Sequence, residues 1–281
     1  MRFRFLPAVV LLVIQAGLGC NHQKQREVKW NNPDGPNAPG LEHKSYMSPS
    51  METEVGYCVY TPPGYKESRF RYPVIYFLHG AGGSESSDAG GFSELVAKAI
   101  ADKDIPPVIC VFPNGGMSGY ADKPETKVMG ETIVIKELIP KIDADYRTQS
   151  TRESRVICGF SMGGGGAVRL ALKYPDLFSA AASWAGAFGR VDATDWPGDH
   201  MAWAEKNRDR LKDKVRFLFV VGDEDMTLAG NKSVVDKLKE LGIAMEYKEL
   251  KGVNHNLGTY YSQTGRDFVK FLGREFQATE K

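Results

Sequence analysis

The chain is poor in several features that would each assign it a role. It has four cysteines in 281 residues, too few for a disulfide-scaffold miniprotein, and it is long enough to bury a core without covalent staples. It has no excess of charge of either sign: 36 Lys and Arg face 35 Asp and Glu, for a formal charge of +1. Without a basic balance there is no general electrostatic drive to wrap nucleic acid, and no nucleic-acid partner is expected. His-Glu-x-x-His, paired-cysteine and EF-hand motifs are all missing, so no metal is expected. The one glycine-rich helix start is not followed by a P-loop lysine, and no cofactor is expected. What remains, 42% hydrophobic and 25% charged, is ordinary globular composition.

The first twenty residues have a separate logic. Arg2 and Arg4 precede an apolar run from Phe5 to Ile14, and small residues lead to Gly19-Cys20. A basic start, an apolar stretch too short to span a bilayer and a small-residue end predict a signal peptide over 1–19. Cys20 after Gly19 resembles a bacterial lipoprotein cleavage site, although Gly17 stands where that pattern usually has Leu. The expectation is an exported protein, either a cell-envelope lipoprotein attached to a membrane through a lipidated Cys20 or a periplasmic or extracellular enzyme. Residues 20–50 hold Pro33, Gly35, Pro36, Pro39 and Gly40 among polar neighbours and read as a polar tether. Residues 51–281 then form the folded domain.

That domain alternates apolar runs with helical patterns. Strands are predicted at Glu54–Tyr60, Pro73–Leu78, Val108–Phe112, Arg155–Cys158, Ala180–Trp184, Val215–Val221 and Ala244–Leu250. Helical spacing covers Phe92–Ala101, Glu131–Asp145, Ala167–Lys173, Ser233–Leu241 and Thr264–Phe276. Apolar runs without alternation are strands buried on both faces, and strands separated by helices build parallel βαβ units. The fold class is α/β, with a mostly parallel central sheet and helices on both faces. The segment 187–214 interrupts the alternation and reads as a small lid or an inserted helix. Cys110 and Cys158 fall on strands flanking the His79 strand, about 9–10 Å apart by strand spacing, beyond disulfide reach. Cys58 and Cys110 sit on strands that can be neighbours, which leaves one bridge open; free buried thiols are the expectation.

Gly159-Phe160-Ser161-Met162-Gly163 follows a predicted strand and precedes a predicted helix. This context makes a nucleophile elbow, a tight turn that exposes a serine hydroxyl in a strained backbone conformation. A serine hydroxyl needs a base, and the elbow logic orders the chain as Ser, acid, His. His22, His43 and His79 precede Ser161, and His200 lies in the irregular segment. His255, in the loop after the last strand, satisfies the order. The acid should end the strand between them, where Gly222-Asp223-Glu224-Asp225 stands. All three carboxylates are candidates. Gly222 would turn the chain and aim Asp225 inward, with Asp223 second. The oxyanion donors are then the backbone N–H groups of Met162 and of Ala81, the latter in the loop His79-Gly80-Ala81-Gly82-Gly83. His79 would fix that loop by hydrogen bonds.

Together with Tyr174-Pro175-Asp176-Leu177-Phe178 and Gly252-Val253-Asn254-His255, these motifs resemble the esterase D, feruloyl and acetylxylan esterase branch of the α/β-hydrolases, over about residues 51–276. The resemblance implies an α/β-hydrolase fold, assigns the acid to Asp225, and implies a serine carboxylic ester hydrolase with an acyl-enzyme intermediate. Acetyl or feruloyl esters of polysaccharide suit an exported member. The alternatives are an acyltransferase of mycolyltransferase type and an inactive carbohydrate-binding protein. The strand ends that would surround a substrate carry Met117, Tyr120, Met162, Trp184, Phe188 and Met226. Of these, Trp184 and Tyr120 are the expected substrate-binding residues.

The N-terminal reading is open to direct measurement. Radiolabelled palmitate should enter the full-length protein and not its Cys20→Ala variant; equal labelling of both would remove the lipid anchor from the account.

Overall fold

The computed structural model describes residues 28–36, 38–189, 199–274 and 276. The expected signal peptide over 1–19 and the expected lipidation site Cys20 lie outside them. Eight strands form the central sheet: β1 (Leu41–Ser48), β2 (Thr53–Tyr60), β3 (Val74–Leu78), β4 (Ile109–Pro113), β5 (Arg155–Phe160), β6 (Ala180–Trp184), β7 (Arg216–Gly222) and β8 (Met245–Leu250). Their spatial order is β1-β2-β4-β3-β5-β6-β7-β8. Only the pairings of β2 with β1 and with β4 are antiparallel; β4 through β8 pair in parallel.

The continuous apolar runs explain the layering. Every residue of β3, β4 and β6 is buried, so both sheet faces need a cover. Val74, Tyr76 and Leu78 of β3 join a core beneath the helical stretch 130–145 and helices α2 (Met162–Lys173), α3 (His200–Lys206) and α4 (Leu228–Glu240). Ile75 and Phe77 point the other way, into a core under α1 (Ala89–Ala101) and α5 (Leu257–Arg274). The sheet edges carry charge. On β8, Glu249 meets Lys232 at 3.0 Å, Glu246 meets Arg274 at 2.9 Å and Lys248 meets Asp267 at 3.3 Å. On β1, Lys44 meets Glu42 at 3.0 Å.

Several expectations change. The polar tether expected over residues 20–50 does not run that far: Leu41–Ser48 pairs along the whole length of β2, and Trp30 and Asn32 are already hydrogen-bonded to Gly56 and Glu85. The Pro and Gly that disfavour regular structure fall within residues 33–40, and 41–48 contain neither. Glu131–Asp145 is helical, but Ile133–Leu138 inside it is a π-helix and Pro140 is the second residue of the last segment, Ile139–Asp145. A π segment admits a residue without a backbone N–H and a locally widened turn. Of the two readings of 187–214, the described part holds the inserted helix α3 and a short helical segment Arg208–Leu211. His200 fastens α3 by a 3.0 Å hydrogen bond from Nε2 to the Gly165 carbonyl. Arg169 on α2 forks onto Asp199 at 2.7 and 3.1 Å and reaches Glu131 at 2.6 Å. Cys58, Cys110 and Cys158 are free and buried. Cys58 pairs with Phe112 and Cys110 with Tyr60, so the open bridge does not form.

Helix α2 begins at Met162, five residues before the expected Ala167, because Gly163–Gly166 lies inside it. Propensity disfavours such a start; close approach requires it. A Cβ at Gly163 would lie 1.9 Å from the Leu78 carbonyl oxygen. One at Gly164 would lie 2.6 Å from Ser183 Oγ, one at Gly165 2.1 Å from the Ala187 carbonyl oxygen, and one at Gly166 2.6 Å from the Tyr120 ring. Successive positions turn about 100° around the helix axis, so the four glycines admit four different neighbours. Helix propensity alone would make Gly163→Ala stabilising by up to about 1 kcal/mol. The backbone collision reverses the sign, and a loss of about 2–4 kcal/mol is expected by urea denaturation.

Candidate active site

The C-terminal ends of β3, β5, β7 and β8 converge on one rim, where an open α/β sheet leaves room for a ligand. Ser161 sits between β5 and α2 with φ 54° and ψ −119°. Few non-glycine residues adopt such a conformation. Three backbone bonds hold it. Ser161 N–H donates to the Trp184 carbonyl at 3.0 Å, and its carbonyl accepts from Gly165 at 3.0 Å and Ala187 at 2.9 Å. A Cβ at Gly159 would lie 2.5 Å from the Leu78 carbonyl oxygen, so both glycines of the elbow are dictated by the same strand.

Ser161 Oγ lies 2.8 Å from His255 Nε2. On the other side of the ring, Nδ1 lies 2.9 and 3.0 Å from the two oxygens of Asp225. An ionised carboxylate accepts only, so Nδ1 carries the proton and Nε2 is free to accept one. The three carboxylates of the acidic turn now separate. Asp225 is 5% exposed and touches the imidazole. Asp223 accepts the Gly252 N–H at 2.7 Å and so ties down the His255 loop, and Glu224 is exposed. Burial alone would raise the Asp225 pKa. Hydrogen bonds from His255, from the Thr227 N–H and hydroxyl, and from Tyr260 outweigh it and hold the carboxyl below its ordinary value. The acid therefore stays charged beside the ring.

Met162 opens α2, and the first intrahelical bond comes only from Gly165 to Ser161, so the N–H of Met162 has no intrahelical acceptor. The loop after β3 runs beside it: a Cβ at Gly80 would lie 3.6 Å from Ser161 Cβ. His79 is buried and does fix this loop. Its Nε2 accepts the Gly115 N–H at 2.9 Å, so the proton lies on Nδ1, which donates to the Gly80 carbonyl at 2.8 Å. Burial pushes the His79 pKa down, which keeps the ring neutral.

Two expected residues do not reach the site. Trp184 is fully buried, donates from Nε1 to Thr264 at 2.9 Å and stacks on Phe268 at 3.6 Å. Tyr120 is also fully buried beneath the His79 carbonyl, with its ring against Gly166. A strand end gives a residue's height and not the face it takes. The exposed apolar groups are instead Met226, 80% exposed and next to Asp225, and Met117, 45% exposed. Met117 Sδ accepts the Gly82 N–H at 3.1 Å. A cavity of about 540 Å³ is lined by Asp225, Met226, Asn254 and His255. A larger groove of about 790 Å³, between α5 and β8, includes none of these residues. Three residues that the sequence reading left out also serve the site. Phe160 lies 4.7 Å from the His255 ring with the two planes inclined by 30°, while Tyr260 and Thr227 hold Asp225. Among the described residues no cluster of three or more His, Cys, Asp or Glu side chains can hold a metal ion.

Sheet order, elbow and rim together define the α/β-hydrolase fold. Solved structures agree. A ferulic acid esterase superposes with TM-score 0.76 at 22% identity, over 84% of this chain and 98% of its own. A ferulic acid esterase from Anaeromyces mucronatus, in complex with ferulic acid, gives 0.69 at 21% identity, over 87% and 97%. The family model described as "Putative esterase" matches residues 48–278, and the chain belongs to that family. Among curated relatives, an esterase of Mycobacterium tuberculosis is 34% identical over 157 residues, 53% of this chain and 33% of its own. An endo-1,4-beta-xylanase/feruloyl esterase of Xylanibacter ruminicola is 31% identical over 214 residues, 72% of this chain and 27% of its own. The chain thus spans about a third or less of the length of these relatives.

The burial of Trp184 has a measurable consequence. Trp184→Phe should lower stability by about 1–3 kcal/mol, through the lost indole hydrogen bond and packing. It should leave KM for p-nitrophenyl acetate unchanged, whereas a pocket residue would raise it.

Proposed function

We propose that the protein is a serine carboxylic ester hydrolase working through Ser161, His255 and Asp225. The observation that carries this reading is the unbroken relay, 2.8 Å from Ser161 Oγ to His255 Nε2 and 2.9 Å from Nδ1 to Asp225. Ser161 Oγ attacks the ester carbonyl as Nε2 takes its proton. Asp225 orients the ring and stabilises the imidazolium, and does not itself take the proton. The developing oxyanion is received by the N–H groups of Met162 and Ala81. Nε2 returns the proton to the departing alkoxide, leaving an acyl-serine. Water then attacks this ester with His255 again as base, and acid and free serine are released.

The substrate we assign is an acetyl or feruloyl ester carried by polysaccharide. A relative named as a xylanase and feruloyl esterase supports this, and so do the exposed Met117 and Met226, whose thioethers suit an aromatic acyl group. Export as a leader-bearing protein fits the same reading, since such polymers lie outside the cell. The catalytic domain would take in β1 and the packed residues 29–32 ahead of it rather than begin at residue 51, and it needs no cofactor.

Ser161→Ala should lower p-nitrophenyl acetate hydrolysis by at least about 10³-fold, and Asp225→Asn by roughly 10³–10⁴-fold, with unchanged circular dichroism. Asp223→Asn, which touches only the loop, should stay within about tenfold of wild type by the same reasoning. A wild-type rate in the Ser161 variant overturns the assignment. A panel of methyl ferulate, acetylated xylan and S-formylglutathione decides the acyl class, with the first two expected to be turned over faster.

A further inference from the structure

Residues Lys29–Asn32 lie upstream of the family match, which starts at residue 48. They do not hang free. Trp30 accepts the Gly56 N–H of β2 on its carbonyl at 2.7 Å. Its ring packs on Gly116, where a Cβ would lie 2.7 Å from Trp30 Cη2. Gly116 has φ +52°, so the loop after β4 is shaped to receive this ring.

Glu85, in the loop after β3, is 1% exposed. Its Oε1 accepts the Asn32 N–H at 2.6 Å and faces His43 Nε2 at 3.0 Å. Its Oε2 accepts from Asn32 Nδ2 at 3.0 Å and from Asn114 Nδ2 at 2.7 Å. A buried carboxylate with this many partners is fixed in place. Asn114, also 1% exposed, uses its second Nδ2 hydrogen on the Lys29 carbonyl at 3.0 Å, and its Oδ1 accepts the Gly116 N–H at 2.9 Å. Asn32 and Lys29 are thus joined to the loop after β4 through two saturated side chains.

That loop holds His79. The Gly115 N–H donates to His79 Nε2 at 2.9 Å, and Nδ1–H donates to the Gly80 carbonyl at 2.8 Å, which also accepts from Gly83 N–H at 3.1 Å. The Gly80 carbonyl and the Ala81 N–H belong to one peptide plane and point in opposite directions. Pinning that carbonyl therefore aims the Ala81 N–H.

We propose that the Lys29–Asn32 segment is a positioning element of the catalytic centre, setting the direction of the Ala81 oxyanion donor through Glu85, Asn114, Gly115 and His79. This rests on the ester-hydrolase reading above. The segment touches no substrate; its effect appears only where negative charge develops on the carbonyl oxygen.

The test uses the full chain with Trp30→Ala/Asn32→Ala together and with Asn32→Ala alone, which leaves the tryptophan packed and the fold intact. Each folded variant should lose kcat on p-nitrophenyl acetate, roughly tenfold for the pair, a part of the ~10²–10³-fold loss on removing an oxyanion donor outright. KM should stay within about twofold, because ground-state binding does not use the donor fully. Affinity for a boronic acid, which forms a tetrahedral adduct on Ser161, should fall by the same factor as kcat. Unchanged kcat and boronate affinity in the folded variants, with Ser161→Ala inactive in parallel, overturn the proposal and leave the hydrolase reading standing. An active Ser161→Ala protein fails that reading instead.

Discussion

The site depends on how closely helix α2 approaches strand β3. The Leu78 carbonyl oxygen occupies the space of a side chain at Gly163 and crowds Gly159. Because the helix is pressed against the strand, the chain between β5 and α2 has no room for a relaxed turn. Ser161 takes up the difference in a backbone conformation that few side-chain-bearing residues adopt. The strain is held by the three backbone bonds to Trp184, Gly165 and Ala187. The result is a hydroxyl at the tip of the turn with helix N–H groups behind it.

The charges are arranged around this rigid turn rather than within it. Asp225 is buried yet ionised, because Thr227 and Tyr260 supply donors besides the imidazole. Its pKa is lowered in the folded protein. The stability it contributes is therefore present above the ordinary carboxylate range and lost as pH falls through the lowered value. Glu131 repeats the device away from the site. Burial opposes its charge, and Lys173, Tyr174 and Arg169 overcome that opposition. One carboxylate lies against the His255 ring, and the other fastens the helical stretch 130–145 to α2 and, through Arg169 and Asp199, to α3.

Much of this was legible in the residues. The buried strands announce themselves because a run without polar positions has no other place to go; Ala180–Trp184 matches its expected bounds. Ser161, Asp225 and His255 followed from chain order and turn chemistry, and the structure brings the three side chains together. Strand β1 was hidden because an edge strand half in solvent mixes Glu42, Lys44 and Ser45 with apolar residues. The start of α2 was hidden because glycine signals loops, and only the neighbours of each glycine explain why it stands in a helix. Trp184 and Tyr120 turn inward for reasons that residue type does not show: Trp184 ends β6 on the face covered by α5, and Tyr120 stands in the loop after β4 with φ 55°. Thr227, Tyr260 and Phe160 carry no signature apart from proximity to Asp225, His255 and Ser161.

The charged rims of the sheet bear on how the molecule meets its own kind. An open eight-stranded sheet ends in two rows of unpaired amide groups, each a template for a foreign strand. Here β8 presents Glu246, Lys248 and Glu249, each already tied to an oppositely charged partner. A strand arriving to extend the sheet would have to strip water and counter-charges from that row before forming its first ladder bond. Growth of the sheet past β8 is therefore opposed by the charges that already line it.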